Sequence, residues 1–377
     1  MTPSHSPLRT VFNLLLKEIR SLWHDKILLL LIVWAFSGGI YTAATAASKE
    51  LHNAPIAIVD EDQSPLSKSL AEAFYAPYFK RPVYIDFDRV DPELDAGRYT
   101  FVLVIPSGFE RDVAAGKQPS LQINIDATRM TQAFIGDGYI QNILSGELNR
   151  YITGQLADDA LPVRLIYHYK YNPNLTSGWF GSIMEIISNV TMLSVILTGA
   201  AVIREREHGT LEHLLVMPVR PTEIVASKIL ANGLVVLTAV ILSLLFMVRG
   251  VLGVPIQGSV ALFAVGTALH LFATTSLGVF LGTVARSMPQ MGLLLILTIL
   301  PLQMLSGGIT PRESMPDIVQ DIMLLAPNTH FVSFAQAILY RGAGLETVWP
   351  QFIVLTLIGT VLFLTAVARF RQSVANG

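Results

Sequence analysis

Eight histidines and 28 carboxylates are the groups of this 377-residue chain with most chemistry to offer, and their spacing offers little of it. His5, His24, His52, His168, His208, His213, His270 and His330 are scattered. His208 and His213 lie five apart, which does not place them on one helix face as a metal pair requires. There is no cysteine, so disulfides, thiol nucleophiles and thiolate metal sites are excluded. No paired-carboxylate or Ser-His-Asp constellation can be assembled. Ile56-Ala57-Ile58-Val59-Asp60-Glu61 resembles an apolar strand ending in two acids, as beside the magnesium of an ATPase. The chain has no Gly-x-x-x-x-Gly-Lys-Ser/Thr loop to cradle phosphates, so these residues read as a buried strand followed by the polar turn Asp60–Pro65. Asn174-Leu175-Thr176 and Asn189-Val190-Thr191 match glycosylation sequons, but the motif is short and the second copy falls in an apolar run. A non-catalytic chain is expected, binding no cofactor or metal and no nucleic acid.

Two ionisable residues stand where charge is costly. His270 falls near the middle of one apolar run and Glu185 in the outer part of another. A charge at mid-bilayer costs about 2.5–3.5 kcal/mol on insertion scales, so each is a candidate pathway residue. The ordinary readings are a neutral His270 ring bonded to a neighbouring helix and a Glu185 near the outer interface. So few intramembrane carboxylates argue against a proton-coupled pump and for an energy source outside the chain.

The most informative stretch is Arg204-Glu205-Arg206-Glu207-His208-Gly209-Thr210-Leu211-Glu212-His213-Leu214-Leu215-Val216-Met217-Pro218, set between two long apolar runs. With Thr210 as cap, a helix to Met217 puts Leu211, Leu214 and Leu215 on one face, and Pro218 ends it. A charged cluster plus a short amphipathic helix at a membrane surface is the handle by which a soluble motor can push a membrane protein.

The elements that carry these groups follow from composition. The chain is 52% hydrophobic and 14% charged, with a mean hydropathy of +0.52. Residues 49–178 hold 12 basic and 17 acidic side chains, whereas the other 247 residues hold 14 and 11. An acidic soluble domain is therefore inserted in a greasy, slightly basic chain. About 20 apolar residues cross a bilayer. Six stretches qualify: Ile27–Ala47, Trp179–Ile203, Ile224–Val248, Ser259–Ala285, Gln290–Ser306 and Trp349–Ala368, the fifth being short and carrying Pro301. Arg9, Lys17, Arg20, Lys26, Arg204, Arg206, Arg220, Lys228, Arg286, Arg369 and Arg371 fall on one side of these spans. The short loops of the other side hold only Arg249, Arg312 and Arg341. This bias puts both termini (residues 1–26 and 369–377) and loop 204–222 in the cytoplasm, and residues 48–178 outside. The basic start and Ala43–Ala47 also fit a cleaved signal peptide. Against this, Leu8, Val11, Phe12, Leu15, Leu16, Ile19, Leu22 and Trp23 recur at helical spacing and predict an interfacial helix that cleavage would discard.

Within the inserted domain, strands are expected at Pro55–Val59, Val83–Phe87, Tyr99–Ile105, Leu121–Asp126 and Val163–Tyr169. Helices are expected at Leu66–Tyr75, Pro92–Ala96, Gly108–Ala115 and Thr131–Ile152. This predicts an α/β fold with helices packed on one sheet. The five-helix region 179–368 also contains a polar interruption, residues 307–345. Its short stretches Asp317–Leu325 and Thr329–Tyr340, broken at Pro327, predict a helical hairpin dipping into the outer leaflet. The fold class is thus a six-span helical integral membrane protein with an α/β extracytoplasmic domain between spans one and two.

These features together resemble the ABC-2 type transport permeases that carry a large domain between the first two spans. The matching residues are Asn13–Arg20, Ala54–Asp60, Asp95–Phe101, Asp126-Ala127-Thr128-Arg129, Ile203–Pro218, Ala285–Gln290, Leu302–Pro316 and His330–Gly344. The resemblance covers essentially the whole chain. It implies the permease subunit of an ATP-driven exporter in the bacterial inner membrane, moving an amphipathic substrate outward. ATP and magnesium would sit on partner ABC ATPase domains, docked on Arg204–Glu207, Gly209, Thr210, Leu211, Leu214, Leu215 and Pro218. A second permease domain, identical or related, would complete the pathway among membrane lipids. A periplasmic membrane-fusion adaptor and an outer-membrane channel would be companions. The competing class is a membrane-anchored sensor or scaffold whose outer domain binds a ligand.

Overall fold

The computed structural model describes residues 7–46, 51, 53–126, 130–153, 177–207, 219–310 and 312–375. The chain divides into two compact units, Ala47–Ser177 and the combination of Met1–Ala46 with Gly178–Gly377. The expected strand Val163–Tyr169 and loop residues 208–218 lie outside the described residues.

The second-named unit opens with α1, Pro7–His24, whose apolar residues recur at helical spacing as expected. Asp25 accepts a bond from the Leu28 amide at 3.1 Å and so caps α2, Lys26–Ala35. The first expected span is not continuous. It breaks at Phe36-Ser37 and resumes as α3, Gly38–Ala46. Two carbonyls at the break are taken up by side chains from other helices: Asn189 Nδ2 donates to Ala35 O at 2.8 Å and Ser243 Oγ to Phe36 O at 2.6 Å. A helix break in an apolar bundle survives only when neighbours satisfy its backbone in this way.

The inserted unit is an α/β sandwich of strands β1 (Ile56–Asp60), β2 (Val83–Tyr84), β3 (Phe101–Ile105) and β4 (Gln122–Ile125) in the order β2-β1-β3-β4. β1 pairs parallel with β2 and β3, with Ile58 opposite Leu103, and β4 closes the sheet antiparallel, with Ile123 opposite Leu103. The run Phe101-Val102-Leu103-Val104-Ile105 is apolar without alternation because both faces of β3 are covered. On one face Ile58, Phe101 and Leu103 meet Leu70 of α4 (Pro65–Glu72), Phe109 of α6 (Phe109–Ala114) and Ile140 of α7 (Met130–Thr153). On the other face Val59, Val102 and Val104 meet Val90 and Leu94 of α5, Val90–Asp95. β2 is shorter than its apolar run because Phe87–Arg89 turn into a 3₁₀ segment that leads into α5.

The remaining helices complete the bundle. They are α8 (Ser177–Glu207), α9 (Pro221–Leu242), α10 (Val260–Val284), α11 (Met288–Met304), α12 (Asp317–Met323), α13 (Pro327–Leu339) and α14 (Leu345–Ala375). α9 runs on through a π-helical segment, Ser243–Val251. Five helical stretches among the described residues are long and apolar enough to cross a membrane: Lys26–Thr45, Gly178–Glu207, Pro221–Val251, Val260–Val284 and Leu345–Ser373. The fifth expected span, Gln290–Ser306, is the 17-residue α11. At 1.5 Å per residue it covers about 25 Å, short of a ~30 Å hydrocarbon core. α12 and α13 meet at 88° across the break before Pro327, the geometry of a broken span or re-entrant hairpin. α13 is buried along most of its length, with Phe331 and Phe334 fully enclosed, which an ordinary surface loop would not be. α8 and α10 approach closely: a Cβ on Gly278 would lie 2.7 Å from Val195 O, and one on Gly282 would lie 3.0 Å from Gly199 O. Small residues of this kind let two helix backbones touch where there is no water to drive them together.

Candidate functional site

The charged end of α8 is built into the bundle by bonds to five other helices and to the cap of the first span. Arg204 pairs with Asp25 at 2.5 Å, so the cap of the first span is also a counter-ion. Glu205 bridges Lys17 of α1 at 2.9 Å and Lys228 of α9 at 2.8 Å. Arg206 donates to Ala285 O at 2.5 Å and to Ser373 Oγ at 2.6 Å, joining the ends of α10 and α14. The Glu207 carboxylate accepts from the Met288 amide at 3.0 Å, at the start of α11, where the unpaired amides of a helix favour negative charge. All four charged residues expected to meet a motor are thus described, and all four are bonded within the chain. Gly209, Thr210, Leu211, Leu214, Leu215 and Pro218 lie outside the described residues.

Lys228 is the anomaly of this region. It is 0% exposed in the midst of an apolar helix, and its ammonium also reaches Glu18 Oε1 at 3.0 Å. Burial works to lower the Lys17 pKa, but the adjacent Glu205 and Glu18 carboxylates outweigh it and hold the ammonium above the ordinary lysine value. A cleft of about 390 Å³ opens beside these charges, lined among others by Lys17, Ser21, Arg204 and Asn232. Asn232 Nδ2 donates to Lys228 O at 2.9 Å, while its buried Oδ1 has no partner.

The two candidate pathway residues lie apart. Glu185, half-buried on α8, accepts a 3.3 Å bond from Asn189, whose Nδ2 also serves the break of the first span. His270 on α10 is fully enclosed. Its Nε2 lies 3.0 Å from Thr191 Oγ1 on α8, and its ring stacks on Phe331 of α13 with centroids 4.0 Å apart. The ordinary reading of His270, a ring bonded to a neighbouring helix, describes this geometry. Thr191 Oγ1 also lies 2.5 Å from Asn328 Oδ1, and Asn328 Nδ2 donates to Leu302 O at 2.8 Å. One turn further along α8, Ser194 Oγ donates to Thr274 Oγ1 at 2.7 Å. A ladder of uncharged hydrogen bonds thus ties α8, α10, α11 and α13 together. Among the described residues no cluster of three metal-binding side chains occurs.

Sequence reasoning counts Lys228 only as a charge of the basic side and does not single out Glu18. The available signal was a lone lysine inside the apolar run Ile224–Val248. It also passed over Asn189 and Thr191, noticed only as a sequon. Nothing in the one-dimensional pattern marked Thr274 or Asn328. In the inserted unit, Asp60 accepts from the Asp62 amide (3.1 Å), the Gln63 amide (2.8 Å) and Ser67 Oγ (2.9 Å), so the strand-end acid organises a turn and the start of α4. Burial pushes the neighbouring Asp62 carboxyl up, but hydrogen bonds from Ser64 and from the amides of Glu110, Gly108 and Phe109 outweigh it and lower its pKa below the usual 3.8.

Comparison with known proteins is consistent with this architecture. The sequence profile described as ABC-2 family transporter protein matches residues 26–368. The chain is 59% identical over 370 residues to the inner membrane transport permease YhhJ of Escherichia coli K12, covering 98% of this chain and 99% of that one. It is 27% identical over 367 residues to YbhR of the same organism, named as a probable multidrug ABC transporter permease, covering 97% and 99% of the two chains. A shorter match, 27% over 177 residues, joins 46% of this chain to 24% of ABC transporter G family member 20 of Dictyostelium discoideum.

Proposed function

Since the chain belongs to the ABC-2 family of transport permeases, a multi-pass protein of the inner membrane, we propose that it is the membrane half of an ATP-driven exporter. Residues 204–222 make up the cytoplasmic coupling segment, with its ends in α8 and α9, both termini are cytoplasmic, and the α/β unit lies in the periplasm, as the basic-residue bias argues. ATP is bound and hydrolysed by separate or fused ABC ATPase domains. A second permease domain completes the translocation path, and the outer α/β unit offers the surface for a membrane-fusion adaptor and outer-membrane channel. The cargo is amphipathic, in keeping with the drug-related name of YbhR and with a bundle whose middle is lined by hydroxyls and apolar side chains, its buried charges lying at the end that carries Lys228.

The observation that carries this reading is the bonding of Arg204–Glu207. A displacement of the segment that follows Glu207 would be delivered at once to α1, α9, α10, α11 and α14 through these four side chains. Coupling needs rigid elements with two arrangements, and this end of the bundle supplies rigid connection. Leu211, Leu214 and Leu215 are the apolar residues that meet the ATPase.

The test is Leu214→Asp in the full chain co-expressed with its ATPase. An unpaired carboxylate buried in a protein groove costs several kcal/mol. Membrane insertion is expected to survive, while the ATPase no longer co-purifies or its hydrolysis no longer drives efflux. A variant complex that holds its ATPase and exports normally overturns the assignment. Orientation is tested in this cysteine-free chain by single cysteines at positions 120 and 212. An impermeant reagent applied to spheroplasts is expected to label the first and not the second.

A further inference from the structure

Four charges close a ring at the polar end of the bundle. Lys228 of α9 contacts Glu205 of α8 at 2.8 Å and Glu18 of α1 at 3.0 Å, and Lys17 of α1 contacts Glu205 at 2.9 Å and Glu18 at 3.8 Å. The signs alternate around the ring, so it is neutral as a whole, and three of its side chains are at most 12% exposed. Such a ring is poor evidence for stability, because well-packed apolar side chains of the same volume hold helices together as well or better. Here they already do so: Leu14 of α1 packs with Ile224 and Ile229 of α9 without any charge. What the ring adds is register. Apolar faces slide past one another at small cost, whereas a buried carboxylate drawn away from the buried ammonium of Lys228 loses an attraction that is strong at low dielectric.

We propose that Lys228 is the positioning residue of an electrostatic latch that makes α1 travel with the loop-bearing end of α8. A push on the loop would then reach the first span through α1. This rests on the reading that the 204–222 loop receives the push. Two features set the direction of transmission. Glu205 lies two residues before Glu207, the last described residue of α8, and grips α1 at Lys17 and, through Lys228, at Glu18. Arg204 grips Asp25, the single residue between α1 and α2. The end of α8 therefore holds α1 both along its length and at its exit into the span. Lys228 is the buried cation that touches both carboxylates, and without it they would share only the half-exposed Lys17, 3.8 Å from Glu18.

The experiment uses the full chain in lipid nanodiscs, alone and in complex with its ATPase, and reads amide hydrogen exchange by mass spectrometry. The informative variant is Glu18→Gln/Glu205→Gln/Lys228→Met, which removes the buried charges and keeps the shapes, so its thermal midpoint is expected to equal or exceed that of the wild type. In the chain alone, α1 amides are expected to exchange about ten-fold faster, with α10 and β3 unchanged. In the complex, trapping with ATP and vanadate should alter exchange at both the loop and α1 of the wild type, but at the loop alone in the variant. If α1 exchanges as in the wild type, or still follows the loop in the variant, the latch is refuted and apolar packing suffices. If the triple variant unfolds early, Lys228→Arg is read instead, and faster α1 exchange there, with the ammonium replaced but the charge kept, counts against a latch that depends on charge alone. A wild-type complex whose loop does not respond to nucleotide defeats the coupling-loop reading, and the exchange of α1 in the chain alone then decides whether the latch exists.

Discussion

The two units of this protein handle polar groups in opposite ways. In the α/β unit the core is apolar and the ion pairs sit at partly exposed positions, as where Arg89 and Arg98, each 61% exposed, converge on Glu93. In the span unit the polar groups are inside. A ring of charge is buried at one end, a ladder of hydroxyl, amide and imidazole groups runs through the middle, and large apolar residues such as Leu297, Leu357 and Leu364 face outward. The difference follows from the solvent. Water drives apolar side chains inward and stabilises charge at the surface, whereas lipid is as apolar as leucine and leaves polar contacts and close packing to specify how helices meet. A substitution's cost should therefore depend on which unit it enters.

The comparison is tested most severely at Lys228. Lys228→Met leaves Glu18 and Glu205 buried with only the half-exposed Lys17 between them and should cost up to about 3–5 kcal/mol, seen as a sharp fall in thermal midpoint and membrane yield. Wild-type stability in this single variant would show that the buried carboxylates tolerate the loss, and would erase the contrast at its strongest point. The counterpart in the other unit is Leu103→Ala at the centre of β3. It should cost about 2–5 kcal/mol through lost burial and a cavity, with faster exchange confined to β1, β3 and β4. Spread of that effect into α10 would show that the two units do not unfold separately.

A smaller effect is expected in the polar ladder. Thr191→Val removes the hydroxyl shared by His270 and Asn328 but keeps the shape of the side chain. Bonds between spans average about 0.6 kcal/mol, so the thermal midpoint should move by only a degree or two. A loss of several kcal/mol would make the ladder a stabilising core on the scale of β3. The smallest effect belongs to Asp62. Its pKa is lowered in the folded state, so the stability it contributes is present above its unfolded pKa and is lost as the pH falls through the folded value. Asp62→Asn should lower the stability of the α/β unit slightly at pH 7, and the difference should vanish well below pH 3.8. A difference that persists in acid would assign the effect to geometry rather than charge.

Much of the fold is legible along the chain because its signals are local. Length and hydropathy mark the long spans, and helical spacing marks α1. Continuous β-branched and apolar runs mark β1 and β3, where the expected Pro55–Val59 and Tyr99–Ile105 are Ile56–Asp60 and Phe101–Ile105. Val83–Phe87 was overextended because the alternation of a strand and the start of a short helix overlap there. The fifth expected span, Gln290–Ser306, is a helix of only 17 residues, and whether α12 and α13 make a further crossing depends on an 88° bend that no local pattern encodes.

The sequence by itself determined that this is a membrane protein with an inserted α/β unit, that it holds no phosphate loop or thiol site, and that a charged, leucine-bearing stretch follows its second apolar run. These properties depend on residues close together in the chain. Only the tertiary structure decided what the charges of that span do. Glu18, Glu205 and Lys228 are separated by up to 210 residues, yet they share one ammonium within 3.0 Å. Thr191, His270 and Asn328 likewise meet from three helices. A lysine in an apolar run reads as a defect until its counter-ions are found, because the energy that makes it tolerable is supplied by partners distant in sequence and adjacent in space.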